Sequence, residues 1–171
     1  LNLINIFNIE SRPKLFERSF VISSFGKTTH TTGWKVGYCC DQKKLSDELR
    51  KIHQFLVFTV PSPFQYALAE YTENSSIYLQ LPNFYQQKRD LLKLELDQTK
   101  FKTLSCPSTF FLLADYREIW NNNDKEFAIW LTQKHGVTVI PVSAFYNQSQ
   151  ELSDLGLVRF CFAKQDDTLT Q

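Results

Sequence analysis

The amino-acid sequence predicts an α/β fold class. Apolar residues recur at helical spacing in some segments and alternate with polar residues in others, which are the periods of amphipathic helices and of strands. Strands and helices alternate in the last third of the chain, which predicts a small sandwich of helices packed on a sheet. The hydrophobic fraction of 43%, with 15% aromatic residues, is typical of a packed globular protein.

Two strands are predicted near the start of the chain. Residues 1–10 are apolar with interleaved asparagines, which indicates an irregular or strand-like lead-in. A proline opens a short helical turn expected over residues 13–16. We expect strands over residues 18–23 and 34–39, because apolar residues run through the first and alternate in the second. Small and hydroxyl residues separate them, with Lys27 in their midst.

Three helices are predicted in the middle of the chain. Residues 41–58 form the first, because apolar side chains recur there at spacings of four, three and four. A Val-Pro-Ser-Pro segment ends it, since proline cannot continue helical hydrogen bonding. Residues 64–71 form the second helix. A longer third helix is expected over residues 82–97, with a proline near its start.

The last part of the chain alternates strands with helices. Four strands are expected there, over residues 101–106, 109–114, 137–140 and 158–163. The Asn-rich loop 121–124 supplies the N-cap of a helix, and Glu126 follows in its first turn. Gly136 ends that helix. Residues 166–171 begin a final helix.

Composition excludes several classes of function. The net charge of +1 gives no electrostatic reason to expect nucleic acid or an anionic membrane as partner. The four cysteines lack the Cys-x-x-Cys spacing, so we predict free thiols and neither a disulfide framework nor a metal site. No apolar run reaches the length of a membrane span, and no signal peptide is visible. We therefore expect a cytoplasmic protein.

Residues 21–38 are the chemically most distinctive segment. Lys27 lies among small and hydroxyl residues, and Lys35 follows eight positions later. One interpretation is a polar loop with solvated lysines. A phosphate-binding loop is excluded, because that motif requires a glycine five positions before Gly26, where Val21 stands. The remaining interpretation is a lysine amine that attacks carbonyl carbons to form a Schiff base.

Two motifs in this segment resemble a known family. Ser24-Phe25-Gly26-Lys27 and Gly33-Trp34-Lys35-Val36-Gly37 are similar to the cofactor-attachment signature of class I and II aminotransferases, in the branch of kynurenine and methionine aminotransferases. Further matches follow in the family's order over residues 52–55, 84–90, 110–115 and 158–164. The resemblance extends from about Ser11 to the end of the chain.

The resemblance implies a fold type I aminotransferase and a division into two domains. Residues 1–75 would be the C-terminal edge of the large pyridoxal-phosphate-binding domain, and they include the Schiff-base lysine. Residues 76–171 would be the linking helix and the small C-terminal α/β sandwich domain. The sequence contains no methionine, and members of the family are about twice as long. We therefore expect this chain to be the C-terminal half of a longer protein.

The resemblance also assigns roles to individual residues. Lys27 would attach pyridoxal 5'-phosphate and act as the catalytic proton carrier. Ser24 and Lys35 would bind the cofactor phosphate, and no metal is implied. Other groups that contact the cofactor ring in the family have no match in this sequence. We therefore expect these 171 residues alone to bind the cofactor weakly or not at all.

Arg159 is the candidate substrate-binding residue. It lies in a predicted strand in which Phe160 and Phe162 face one side while Arg159 and Cys161 face the other. One interpretation is an edge-strand arginine paired with a nearby carboxylate. The other is a guanidinium that holds the α-carboxylate of an amino acid through two hydrogen bonds. The resemblance implies the second.

The resemblance thus implies an enzyme that moves an amino group from an L-amino acid, aromatic or sulfur-containing, to a 2-oxo acid. A homodimer is implied as well, because active sites of the family lie at a subunit interface. Two alternatives remain open. One is a cysteine-conjugate β-lyase on the same scaffold, and the other is a truncated copy without catalytic activity.

Overall fold

The computed structural model describes residues 13–146 and 155–171. The lead-in predicted over residues 1–10 lies outside them. Within the described residues the chain divides into two compact units, the first ending at Leu81 and the second beginning at Pro82. In these two ranges, none of the helices combines the length and the hydrophobicity that crossing a bilayer requires.

The first unit contains an antiparallel hairpin and a set of helices. Its elements are the turn α1 (Pro13–Phe16), strand β1 (Val21–Ser24), the single helical turn α2 (Phe25–Thr28), a 3-10 turn (Thr32–Trp34), strand β2 (Gly37–Cys40) and helices α3 (Lys43–Leu56), α4 (Ser62–Thr72) and α5 (Ser76–Leu79). Strands β1 and β2 pair so that Ser24 lies opposite Gly37. The predicted turn over residues 13–16 is confirmed, and the strand predicted over residues 18–23 is confirmed from residue 21 onward.

The second predicted strand is wrong at its start. Trp34 lies in the 3-10 turn, and the next residue, Lys35, has a left-handed backbone with φ of 56°. A left-handed residue interrupts an extended backbone, so the strand begins at Gly37 instead. The expected burial also fails in part, because Val36 is buried but Tyr38 is 41% exposed.

The predicted helices over residues 41–58 and 64–71 are confirmed as α3 and α4. Pro61 directly precedes α4, and Pro63 lies in its first turn. Proline is tolerated there because the first N–H groups of a helix have no partner within the helix. The two prolines therefore separate α3 from α4 without interrupting either.

The first unit buries few apolar side chains. The apolar stripe of α3 remains largely exposed, with Ile52 at 57% and Leu56 at 77%. Among the described residues of this unit, the buried apolar side chains are those of Val36 and Leu68. Within the described residues, local contacts hold the hairpin more than a core does.

The second unit is a four-stranded antiparallel sheet with helices. Its elements are helix α6 (Leu81–Leu96), strands β3 (Lys102–Thr103) and β4 (Phe111–Asp115), helix α7 (Asp124–His135), strand β5 (Ile140–Pro141), a 3-10 turn (Val142–Phe145), strand β6 (Leu157–Cys161) and helix α8 (Asp166–Leu169). The strand order is β3-β4-β6-β5. The predicted helices of this part and the strands predicted over residues 109–114 and 158–163 are confirmed. The strand predicted over residues 101–106 is shortened to Lys102–Thr103, and the strand predicted over residues 137–140 is wrong except at Ile140, because β5 continues into Pro141.

One face of this sheet forms the core. Side chains of β4 and β6 alternate between buried and half-buried positions, and the three helices cover the buried face. The fully buried side chains of largest volume are Tyr116, Phe127, Phe162, Leu112 and Val158. The rings of Tyr116 and Phe127 stack with centroids 4.4 Å apart. The predicted sandwich of helices on a sheet is thus confirmed.

Helix α7 begins and ends where the sequence predicts. Asn123 is its N-cap, and the Asn123 side-chain oxygen accepts a hydrogen bond from the Glu126 N–H at 2.9 Å. At the other end Gly136 has φ of 71°, a left-handed conformation that glycine adopts without steric penalty. The first turn carries Asp124 and Glu126, which suit the positive end of the helix dipole.

Candidate active site

Lys27 lies on a single helical turn between the two strands of the hairpin. Ser24 ends β1 and caps this turn, because its hydroxyl oxygen accepts a hydrogen bond from the Gly26 N–H at 3.1 Å. The Thr29 N–H closes the turn with a 2.8 Å bond to the Phe25 carbonyl. The backbone at Lys27 is therefore fixed by hydrogen bonds on both sides, while the lysine side chain is exposed.

Three threonine hydroxyls fasten the segment that follows Lys27. The Thr29 hydroxyl donates to the Phe25 carbonyl at 2.9 Å and lies 2.8 Å from the Thr31 hydroxyl. The Thr32 hydroxyl donates to the Gly26 carbonyl at 3.1 Å. Sequence reasoning gave these threonines no role. Their clustering near Lys27 in the sequence could have indicated this role, because hydroxyl side chains commonly form hydrogen bonds with nearby backbone groups.

Two glycines allow the backbone of the hairpin to close. A Cβ atom at Gly37 would lie 2.5 Å from the Ser23 carbonyl oxygen, which is closer than such atoms approach. A Cβ atom at Gly26 would lie 3.1 Å from the Thr32 Cα atom. Close backbone approach is a common reason for glycine at such positions. These glycines bring the two sides of the hairpin together around the lysine turn.

An aromatic stack joins the hairpin to helix α4. The ring centroids of Trp34 and Phe64 are 4.6 Å apart and their planes differ by 16°. Stacked rings at this distance stabilise a contact beyond the area that they bury. Trp34 directly precedes Lys35, so the stack fixes the backbone from which the second cation of the hairpin projects. The sequence could not identify this contact, since thirty positions separate the two rings.

The structure brings three of the predicted site residues together in one hairpin. Ser24, Lys27 and Lys35 all lie between the first residue of β1 and the last of β2, and their side chains are exposed. The Ser24 hydroxyl also donates to the Val36 carbonyl, at 3.4 Å. That distance is long for an O–H···O bond, so this proton remains exchangeable toward another acceptor. Arg159 belongs to the second unit.

Arg159 lies on an interior strand, so its interpretation as an edge-strand arginine is wrong. Strand β6 has neighbours on both sides, with Leu113 of β4 and Ile140 of β5 opposite Arg159. Among residues 13–146 and 155–171, no carboxylate forms an ion pair with it. Asp115, on the same face of the sheet, pairs with Arg117 instead.

Two aromatic rings contact the guanidinium of Arg159. Its central carbon lies 4.0 Å from the centre of the Phe111 ring and 4.6 Å from the centre of the Phe145 ring. The Arg159 Nε atom is buried and has no hydrogen-bond partner in the described part of the chain. Sequence reasoning missed both phenylalanines. Phe111 lies in a predicted strand, but the sequence does not specify that this strand is the neighbour of the strand that carries Arg159.

Comparison with known proteins identifies the family. Residues 3–171 match the family model described as aminotransferase class I and II. The chain is 46% identical over 163 residues to a methionine aminotransferase of Escherichia coli, covering 95% of this chain and 42% of that protein. It is 34% identical over 176 residues to a kynurenine–oxoglutarate transaminase of Dictyostelium discoideum, covering 92% and 40%.

The fold agrees with a solved structure of this group. The crystal structure of Escherichia coli YbdL, for which a methionine aminotransferase function has been described, matches with a TM-score of 0.87 at 46% identity. The match covers 95% of this chain and 42% of that one. The chain thus spans about two fifths of the length of the relatives that it matches and has the fold type I architecture. By family match and by fold, it belongs to the class I and II aminotransferases.

Proposed function

We propose that the whole protein transfers the amino group of an L-amino acid, aromatic or sulfur-containing, to a 2-oxo acid. The relatives named above support the reaction, and their printed substrates, methionine and kynurenine, support the two side-chain classes. One structural observation carries the proposal. Lys27 projects from a capped helical turn inside a hairpin that also presents Lys35, which suits an amine nucleophile beside an anion-binding cation.

The residues of the hairpin fit pyridoxal phosphate, the cofactor that class I and II aminotransferases use. An aldehyde carried on a phosphate ester requires an amine and groups that bind the phosphate. Lys27 provides the amine. Lys35 provides a cation. Within residues 13–146 and 155–171, the bond that the Ser24 hydroxyl donates is the 3.4 Å one to the Val36 carbonyl.

In the mechanism that we propose, each residue performs a separate task. Lys27 would hold the cofactor through its amine, and the same amine, once free, would take the proton from the substrate Cα and return it as a general acid. Lys35 and Ser24 hold the phosphate and so fix the position of the ring. Arg159 binds the substrate α-carboxylate with two hydrogen bonds. The bound cofactor supplies an electron sink for the charge left when the Cα proton departs.

Borohydride reduction of the whole protein tests this proposal. Reduction followed by peptide mapping should place a pyridoxyl group on Lys27, and Lys27→Ala should remove both the label and the visible absorbance of the bound cofactor. Lys35→Ala is the matched control, because it removes a lysine from the same hairpin and should leave the label on Lys27 at lower occupancy. A label on another lysine, or its absence, would contradict the proposal.

Product analysis distinguishes transamination from the β-lyase alternative. With L-methionine and a 2-oxo acid, we expect the corresponding oxo acid and a new amino acid in equal amounts. With a cysteine conjugate, release of pyruvate and a thiol would instead establish β-elimination. A protein that retains the cofactor and forms neither set of products would favour the non-catalytic alternative.

We also propose that the whole protein is a cytoplasmic homodimer with two domains, in which residues 1–75 belong to the large cofactor domain and residues 76–171 to the small one. The compact units, which divide between Leu81 and Pro82, support a boundary in this region. Light scattering of the whole protein measures the oligomeric state. A monomer that remains fully active would exclude a shared active site.

A further inference from the structure

The aromatic side chains that contact Arg159 come from other segments of the chain. Phe111 reaches it from the adjacent strand β4, since the register pairs Leu113 with Arg159 and places Phe111 diagonally across on the same face. Phe145 reaches it from the 3-10 turn that follows β5. Cations within about 6 Å of an aromatic ring centre are attracted to the ring face. Both rings satisfy this condition.

The Phe145 ring is not part of the core. It is 59% exposed, whereas Phe127 and Phe162 in the same unit are fully buried. An apolar side chain that is mostly exposed contributes little to folding by burial. Its ring does contact the Arg159 guanidinium, at 4.6 Å.

The turn that carries Phe145 is fastened to helix α7 by a buried carboxylate. Asp124, only 2% exposed, accepts two hydrogen bonds from Ser143, one from its backbone N–H and one from its hydroxyl, both 2.7 Å long. A buried acceptor that loses its hydrogen-bond partners is costly, so these two bonds stabilise the arrangement. They fix the 3-10 turn two residues before Phe145. The first turn of α7 thereby determines where the ring lies.

We propose that Asp124, Ser143 and Phe145 form a positioning relay that, together with Phe111, orients the Arg159 guanidinium for the substrate carboxylate. The inference rests on the proposed function of Arg159. The Arg159 Nε atom is buried without a partner among the described residues, so its N–H is not offered to solvent. The fork formed by the two terminal nitrogens is then the part of the guanidinium that can bind a carboxylate. The rings fix the plane of this fork.

The ratio of the dissociation constants for a carboxylate and for its amide tests the relay. Both are measured on the whole protein with bound cofactor. Titration calorimetry with 3-phenylpropionate and with 3-phenylpropanamide gives the two dissociation constants without turnover. We expect the acid to bind about 100-fold more tightly, as for a charged hydrogen-bonded pair. Arg159→Leu should abolish the difference. Phe145→Leu should reduce it about two- to fivefold, the effect expected from losing one cation–π contact with a largely exposed ring.

Further variants separate positioning from a general structural effect. Phe145→Tyr keeps the ring and should retain the discrimination. Ser143→Ala removes one of the two hydrogen bonds to Asp124 and should lower the discrimination by no more than Phe145→Leu does, because Ser143 acts through Phe145. Phe84→Leu is the matched control, since Phe84 is also an exposed ring in contact with a cation, but that cation is Lys88 and not Arg159. In turnover with L-methionine, Phe145→Leu should raise KM more than it lowers kcat.

The outcomes distinguish the relay from the proposed function. If Arg159→Leu abolishes discrimination and Phe145→Leu does not change it, the relay is overturned while the role of Arg159 stands. If the unmodified protein does not discriminate the acid from the amide, the role of Arg159 and the relay both fail. If borohydride labels no lysine but the discrimination follows the expected order, the relay stands and the proposed cofactor chemistry fails.

Discussion

The Lys27 hairpin and the sheet that carries Arg159 keep their functional side chains in place by different means. In the second unit Phe127 and Phe162 are fully buried and belong to the hydrophobic core against which the sheet packs. In the first unit Phe55 and Phe58 are 86% and 80% exposed, and the hairpin is fixed by a capped turn, threonine hydroxyls and one aromatic stack. The difference indicates that core substitutions should perturb Arg159 most, whereas Lys27 should respond to changes in local backbone geometry.

The largest effect is expected from the core of the second unit. Phe127→Ala removes a fully buried ring that stacks on Tyr116, so it should lower the free energy of unfolding by about 3–5 kcal/mol. Urea unfolding in a Trp34→Phe background, in which Trp120 and Trp130 are the remaining tryptophans, measures this by fluorescence. Phe64→Ala in the first unit is the comparison, and its effect at these two tryptophans should be much smaller. Equal effects would contradict separate stabilisation of the two units.

A glycine substitution in the hairpin should have the next largest effect. Gly37→Ala introduces a Cβ atom 2.5 Å from the Ser23 carbonyl oxygen, and relieving the overlap should cost about 1–3 kcal/mol. Gly33→Ala is the matched control, because a Cβ atom at Gly33 meets nothing within 4 Å. Cofactor occupancy of the whole protein should fall for Gly37→Ala only. Equal occupancy in the two variants would show that close approach at Gly37 does not position Lys27.

The N-cap of helix α7 should contribute less. Asn123→Ala removes the acceptor of the Glu126 N–H and should destabilise the second unit by about 1 kcal/mol. Asn122→Ala is the control, since Asn122 acts through its backbone carbonyl, which accepts a hydrogen bond from the Tyr116 hydroxyl at 3.1 Å. The two urea midpoints should therefore differ. If Asn122→Ala is as destabilising as Asn123→Ala, side-chain capping is not the cause.

The smallest effect concerns pH. The hydrogen bonds that Arg117 donates to Asp115 lower the pKa of the Asp115 carboxyl below its ordinary value of 3.8. A lowered folded-state pKa contributes stability that is present above the unfolded pKa and is lost as pH falls through the folded pKa. Because Arg117 is largely exposed, this contribution should be at most about 1 kcal/mol.

The comparison of Arg117→Leu with the unmodified chain measures the pH effect. The difference in unfolding free energy should be constant near neutral pH and should shrink below about pH 4, where the carboxyl begins to be protonated. In an Asp115→Asn background the difference should show no such decline. A difference that grows as the pH falls would contradict the assignment.

The sequence by itself determined features that depend on neighbouring residues. It located the ends of helix α7 through Asn123 and Gly136, and it separated α3 from α4 through a proline pair, because capping and proline sterics act within a few residues. It also showed which side of β6 carries Arg159, since side chains alternate along any strand. Lys27 and Arg159 were identified by motif resemblance, which is likewise a local property.

Only the tertiary structure decided what surrounds those residues. Strand periodicity does not specify neighbours, so the interior position of β6 and the contacts of Arg159 with Phe111 and Phe145 could not be predicted. The same holds for the stack of Trp34 on Phe64 and for the left-handed backbone at Lys35, which shortened a predicted strand. These features join segments that are distant in the sequence, and their free energies depend on packing that no local pattern encodes.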